Sequence, residues 1–171
     1  MKIAVLGAGT WGAALAALLK KNGCDVTLWS ALQKEIDTLK TTGEHKNLPG
    51  SKMPDGIIYE TNIEKALSGA DAVLFAVASE YLRATVKTAA PFLRHGTVLA
   101  TATKGIEKGT LFTMSELIED EIGKYTNEKF DIVALSVPTH AEEVAKEMPT
   151  SIVSASKNET VAMKLAEIIS N

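Results

Sequence analysis

The feature that most constrains this chain is the run Gly7-Ala8-Gly9-Thr10-Trp11-Gly12 and the place where it stands. Before it lies a short apolar segment, residues 3–6, that reads as a buried strand. After it, residues 13–21 are rich in alanine and leucine and read as a helix. A glycine-rich loop that leaves a strand and opens a helix is the setting in which backbone amides can cradle a phosphate. Gly7 permits the tight turn, Gly9 lets a bulky anion approach the backbone, and Gly12 lets the helix pack close to the sheet. The helix N-terminus adds free N–H groups and a partial positive charge. Ala13, Ala14, Ala16 and Ala17 keep that helix slim against its strand. The ligand such a loop implies is the pyrophosphate of a dinucleotide.

The rest of the chain repeats the alternation. Residues 26–29 read as a strand and 32–39 as a helix, followed by an irregular loop over 41–56 that contains Gly43, Pro49, Gly50, Pro54 and Gly56. A short strand is expected at 57–59, then a helix through Leu67 opened by a Thr61–Glu64 capping box. Strands are expected at 72–77, 97–101, 132–135 and 151–154, with helices at 81–90, 111–122, 141–146 and 158–169. The 72–77 run is almost wholly apolar, as suits a strand covered on both faces. Strand–helix alternation from end to end predicts an α/β fold of the Rossmann type: a doubly wound, mostly parallel sheet with helices on both faces. The first strand is expected to be central, and no linker or repeat divides residues 1–171, so a single dinucleotide-binding domain is expected.

Composition narrows the function classes. A lone cysteine, Cys24, excludes an internal disulfide framework and a cysteine-built zinc site. The three histidines, His45, His95 and His140, are too scattered to suggest a metal site. A formal net charge of −3 without a basic run argues against a nucleic-acid surface. No leader pattern opens the sequence and no segment approaches the ~20 apolar residues of a membrane span, so a cytoplasmic protein is expected.

The choice between NAD and NADP turns on the end of the second strand, about 20 residues past the first glycine. Leu28-Trp29-Ser30-Ala31 holds neither an acid for the ribose hydroxyls nor an arginine for a 2′-phosphate. Ser30, Gln33 and Lys34 are the polar side chains at hand, and both cofactors stay open.

Two later stretches also leave strands. Thr103-Lys104-Gly105-Ile106-Glu107 falls on the side where open α/β sheets bind ligands, and Lys104 could set a cation beside a phosphate or a developing alkoxide. Ser136-Val137-Pro138-Thr139-His140-Ala141-Glu142-Glu143 enters a helix, with Thr139 and Glu142 spaced as a capping box.

In order, Gly7-Ala8-Gly9-Thr10-Trp11-Gly12, Asn47-Leu48-Pro49-Gly50, Ala102-Thr103-Lys104-Gly105-Ile106-Glu107 and Pro138-Thr139-His140-Ala141-Glu142-Glu143-Val144 resemble NAD(P)-dependent glycerol-3-phosphate dehydrogenase. Pro149-Thr150 and Ala155-Ser156 fit the same pattern, and the resemblance spans essentially the whole chain. It implies hydride transfer between nicotinamide and C2 of dihydroxyacetone phosphate or sn-glycerol 3-phosphate. Gly7, Gly9, Thr10, Trp11 and Gly12 would hold the NAD or NADP pyrophosphate, with Tyr81, Lys104 and Ala141 also on the cofactor. Lys104 and Thr139 would touch the small phosphorylated substrate. The resemblance further implies a helical C-terminal domain carrying the proton-transferring lysine, and a homodimer of the full-length protein. The sequence departs from the family pattern at Val137, where glycine is usual, at Ala78, where proline is usual, and at Ala31, where a cationic or aromatic residue is common. Two other functions stay open on the residues: a stand-alone nucleotide-binding or sensing module, and the cofactor domain of another two-domain ketone or hydroxyacid reductase.

Overall fold

The computed structural model describes residues 1–136 and 140–170. The first unit is β1 (Lys2–Leu6), α1 (Thr10–Lys21) and β2 (Asp25–Trp29). It is followed by α2 (Gln33–Thr42), β3 (Ile58–Glu60), α3 (Ile63–Leu67) and β4 (Ala72–Phe75). Then come α4 (Ser79–Ala89), a short 3₁₀ turn, β5 (Val98–Thr101), α5 (Met114–Ile122) and β6 (Ile132–Ser136). The chain continues through α6 (Ala141–Ala145), β7 (Val153–Ser156) and α7 (Glu159–Ile169).

The strands form one seven-stranded sheet in the order β3-β2-β1-β4-β5-β6-β7. Every neighbour pair is parallel except β6–β7, which is antiparallel. This is the doubly wound, mostly parallel sheet that the alternation of elements predicts. β1 is interior, between β2 and β4, although the middle strand of the seven is β4. The strand order reverses between β1 and β4, and ligand crevices of open α/β sheets form outside the carboxyl ends of the strands at such a switch point.

The interior strands feed both faces. Ile3, Val5, Leu28 and Leu74 point to a core shared with Leu15 and Leu19 of α1 and Leu165 and Ile169 of α7. Ala4, Leu6, Val73, Phe75 and Leu99 point the other way, onto Leu82 and Val86 of α4 and Leu117 and Ile118 of α5. Phe75, Leu82 and Leu117 are wholly buried, so removing any of these side chains would cost about 2–5 kcal/mol. Burial on both faces is why the strand sequences read as unbroken apolar runs.

Several element ends differ from expectation. α3 is capped by Asn62, whose Oδ1 accepts from the Lys65 N–H at 3.0 Å, not by Thr61. The Thr61 N–H is already donated to Glu60 Oε1 at 2.8 Å. The 41–56 stretch is not wholly irregular: α2 runs to Thr42, and Glu44 bridges Lys52 in antiparallel fashion. α5 begins at Met114 behind a Thr113–Glu116 capping box, later than the apolar pattern suggests. β7 lies at 153–156 rather than 151–154. The Thr139–Glu142 capping box falls partly outside the described residues; the N-cap of α6 is His140, whose N–H donates to Glu143 Oε2 at 3.0 Å.

Candidate functional site

The loop from β1 to α1 divides its glycines by role. Gly7 has φ +122°, and a Cβ there would lie 2.7 Å from the Ala76 carbonyl oxygen. A Cβ on Gly12 would lie 1.8 Å from the Gly7 carbonyl oxygen, so α1 approaches the turn too closely for any side chain. Gly9 is different: its φ is −68° and a Cβ there would meet nothing within 4 Å. The space at Gly9 is therefore open to an incoming group rather than filled by protein. Gly9 is also the N-cap of α1, with no side-chain capping bond and no acidic residue in the first turn. The amides and dipole of that turn are left for an anion, as pyrophosphate binding requires.

The neighbouring residues brace this loop. Gly7 N–H donates to the Trp29 carbonyl at 2.9 Å, tying the loop to the end of β2. Thr10 Oγ1 accepts from Asn47 Nδ2 at 2.9 Å, which brings in the 43–53 segment. Leu48 of that segment packs with Ala13 and Ala14 of α1 and with Ala141 and Val144 of α6. Ala141 thus stands buried against α1 at the first turn of α6. Trp11 Nε1 is buried and has no hydrogen-bond partner among the described residues. Buried donors of that kind are uncommon and call for a partner.

Lys104 comes to the same loop. Its Nζ lies 5.7 Å from the centre of the Trp11 ring, within cation–π range. The segment bearing it is fixed at both ends. Thr103 Oγ1 donates to the Val77 carbonyl at 2.9 Å. Farther on, Glu107 takes a two-pronged ion pair from Arg83 of α4, both contacts at 2.6 Å. Arg83 also donates to Asp120 at 2.6 Å and to Glu121 at 2.8 Å, so one guanidinium joins α4, α5 and the Lys104 segment. The Arg83 hydrogen bonds, with a further one from Thr110, hold the Glu107 carboxyl down to about 2. Gly105, at φ +114°, faces Ser79 at the start of α4, and Tyr81 projects from the same first turn, 60% exposed.

The structure therefore brings Lys104 to Trp11 of the Gly7–Gly12 loop, while Tyr81 lies in the first turn of α4 and Ala141 in the first turn of α6, packed near α1. Thr139 and Val137 lie outside the described residues. At Ala78 the backbone has φ −63°, a value proline itself adopts, so alanine there leaves the turn unchanged. Two features escape a reading of the sequence. Glu35 brings a carboxylate back to the end of β2, accepting from Ser30 Oγ at 2.6 Å, although residues 28–31 contain no acid. Arg83 is the other, since its partners are 24 to 38 positions away.

A glycine turn at the switch point of a doubly wound sheet, opening an uncapped helix, defines a dinucleotide-binding domain of the dehydrogenase type. The N-terminal family of NAD-dependent glycerol-3-phosphate dehydrogenases matches residues 2–162, and the chain belongs to that family. It is 49% identical to glycerol-3-phosphate dehydrogenase (NAD(P)+) 2 of Lactobacillus delbrueckii subsp. bulgaricus over 99% of this chain and 51% of that protein. It is 40% identical to the glycerol-3-phosphate dehydrogenase (NAD(P)+) of Pelotomaculum thermopropionicum over 92% of this chain and 45% of that one. The crystal structure of the Coxiella burnetii glycerol-3-phosphate dehydrogenase superposes with a TM-score of 0.90 at 30% identity, covering 99% of this chain and 51% of that chain. The chain thus spans about half the length of the relatives it matches. A UDP-D-ManNAc dehydrogenase from Pyrococcus horikoshii shares the fold alone, at TM-score 0.79 and 21% identity over 99% of this chain and 44% of that one.

Proposed function

We propose that the chain is the cofactor-binding half of a glycerol-3-phosphate dehydrogenase, which interconverts dihydroxyacetone phosphate and sn-glycerol 3-phosphate. The observation that carries this is the meeting of Lys104 with Trp11 of the Gly7–Gly12 loop, since the two lie far apart in sequence. When bound, the nicotinamide supplies or accepts the hydride. The protein's own part is to hold and polarise. Gly7, Gly9 and Gly12 leave room for the pyrophosphate, the first turn of α1 donates to it, and Thr10 and Trp11 flank it. Tyr81 and Ala141 also contact the cofactor. Lys104 sets a cation where a carbonyl oxygen gains negative charge on reduction, and such charge stabilisation lowers the barrier. Lys104 and Thr139 contact the phosphorylated substrate.

A helical C-terminal domain that supplies the proton-transferring group, assembly of the full-length protein as a homodimer, and residence in the cytoplasm belong to the same proposal. The relatives' greater length supports the further domain. No helix among the described residues is long and apolar enough to cross a membrane. The test is complementation. The chain is fused to the C-terminal half of the Lactobacillus relative, and nicotinamide oxidation is followed with dihydroxyacetone phosphate. Turnover that falls by at least about 100-fold in Lys104→Ala is expected. Turnover indifferent to that change would overturn the assignment.

A further inference from the structure

The carboxyl end of β2 stands beside the cofactor loop, through the Gly7 N–H to Trp29 carbonyl bond of 2.9 Å. In a sheet of this topology that strand end receives the adenosine ribose. A carboxylate there takes the ribose hydroxyls, whereas an arginine accommodates a 2′-phosphate. In this chain the strand ends in Ser30, which is buried. Its hydroxyl accepts from the Leu32 N–H at 3.1 Å and donates to Glu35 Oε2 at 2.6 Å. Ser30 therefore closes the turn into α2 and draws the half-buried Glu35 carboxylate against the strand end. Among the described residues, Oε1 of Glu35 takes no hydrogen bond, and a carboxylate has acceptor capacity for more than the one it has.

The surroundings favour hydroxyls over phosphate. Glu60 sits one strand over, in register with Trp29, and its Oε1 accepts from the N–H groups of Thr61 and Asn62 at 2.8 and 2.9 Å. Ala31 and Leu32, both exposed between the strand and α2, carry no charge. Gln33 is engaged with Asp37 at 2.8 Å and accepts from Thr61 at 3.4 Å. Nearby His45 is buried, which disfavours its cationic form. The cations of this region, Lys34, Lys40, Lys46 and Lys65, are exposed chains. A 2′-phosphate, carrying nearly two negative charges, would face Glu35 and Glu60 without a fixed guanidinium.

We propose that Glu35, held by Ser30, reads the adenosine ribose hydroxyls, and that this chain takes NAD in preference to NADP. The proposal rests on the assignment of the cofactor site given above. The test is titration of the chain with NADH and with NADPH, followed by tryptophan fluorescence, with 5′-AMP and 2′,5′-ADP as probes of the adenosine end. NADH is expected to bind at least about tenfold more tightly than NADPH, the scale of hydrogen bonds to a charged group. Glu35→Gln should bring the two within about threefold, and Ala31→Arg should do so by tightening NADPH and 2′,5′-ADP. Circular dichroism checks that both variants keep their fold. Equal or tighter binding of NADPH by the native chain would overturn the proposal alone, as would an unchanged ratio in Glu35→Gln. Binding of neither dinucleotide would overturn the cofactor site, and the proposal with it.

Discussion

Replacing Arg83 by alanine removes the one guanidinium that joins three carboxylates. It leaves Glu107, Asp120 and Glu121 close together, with Lys124 as their remaining cation, 2.8 Å from Glu121 and 3.1 Å from Asp120. The Arg83 side chain is 27% exposed, Glu107 17% and Glu121 6%, so the cluster sits between the surface and buried cases. Exposed ion pairs are worth up to ~1 kcal/mol, and breaking buried ones costs ~3–5 kcal/mol. The structure places the loss at about 2–3 kcal/mol, or roughly 5–10 °C in Tm for a domain of this size. Arg83→Lys should recover only part, because an ammonium cannot make the two-pronged contact with Glu107. The pH dependence has a definite sign. Glu107 titrates at about 2 in the fold against an ordinary 4.5, and Asp120 is also held below its ordinary value by Arg83 and then Lys124. Their stabilisation is fully present above the ordinary value and is lost as pH falls from there toward the folded value. Thermal melts of the native chain and Arg83→Ala at several pH values check this. The gap in Tm should be full at pH 7 and shrink as pH drops below about 4.5. A gap under about 1 °C, or one independent of pH, would refute the reasoning.

Other outcomes follow from the same geometry. Ala78→Pro should raise stability by about 0.4–1 kcal/mol in denaturant melts, because φ is already −63° and the unfolded chain loses freedom. Gly12→Ala should leave little folded protein in circular dichroism, since its Cβ would overlap the Gly7 carbonyl oxygen, 1.8 Å away. On the proposed division of labour, in which the C-terminal domain supplies the proton-transferring group, the 171-residue polypeptide by itself should show no measurable turnover of dihydroxyacetone phosphate, because doing without a general acid alone costs ~10²–10⁴-fold. Robust turnover that disappears in Lys104→Ala would show that this half carries its own catalytic machinery.

The sheet was readable from the sequence because burial on both faces leaves a strong mark. Runs such as Ala72-Val73-Leu74-Phe75, short, apolar throughout and set in a strand–helix alternation, read as covered parallel strands. The Gly7–Gly12 loop was readable because close packing at Gly7 and Gly12 excludes every other residue type. Ends were less legible. Thr61 and Asn62 are both good caps by residue type, and the fold uses Asn62, whose Oδ1 accepts from the Lys65 N–H, while the Thr61 hydroxyl turns to Gln33 of α2. The two-residue shift of β7 arises because an edge strand lacks the continuous apolar signal of the interior strands. Glu35 lies beyond the stretch where a ribose-reading acid is sought, and only the turn at Ser30 folds it back. Arg83's partners in the cluster lie 24 to 38 positions away, so no local pattern announces its role.

The central claim is that the space at Gly9 receives a dinucleotide pyrophosphate, and Gly9→Val tests it most directly. The backbone there has an ordinary φ of −68°, and an added Cβ meets nothing within 4 Å. The variant should therefore fold, with a cost of at most about 1 kcal/mol for changing the N-cap. The branched side chain would nevertheless fill the position that the pyrophosphate needs. Calorimetric titration with NADH should show binding to the native chain and none to the variant, while both melt cooperatively. A folded Gly9→Val chain that binds NADH with unchanged affinity would contradict the account.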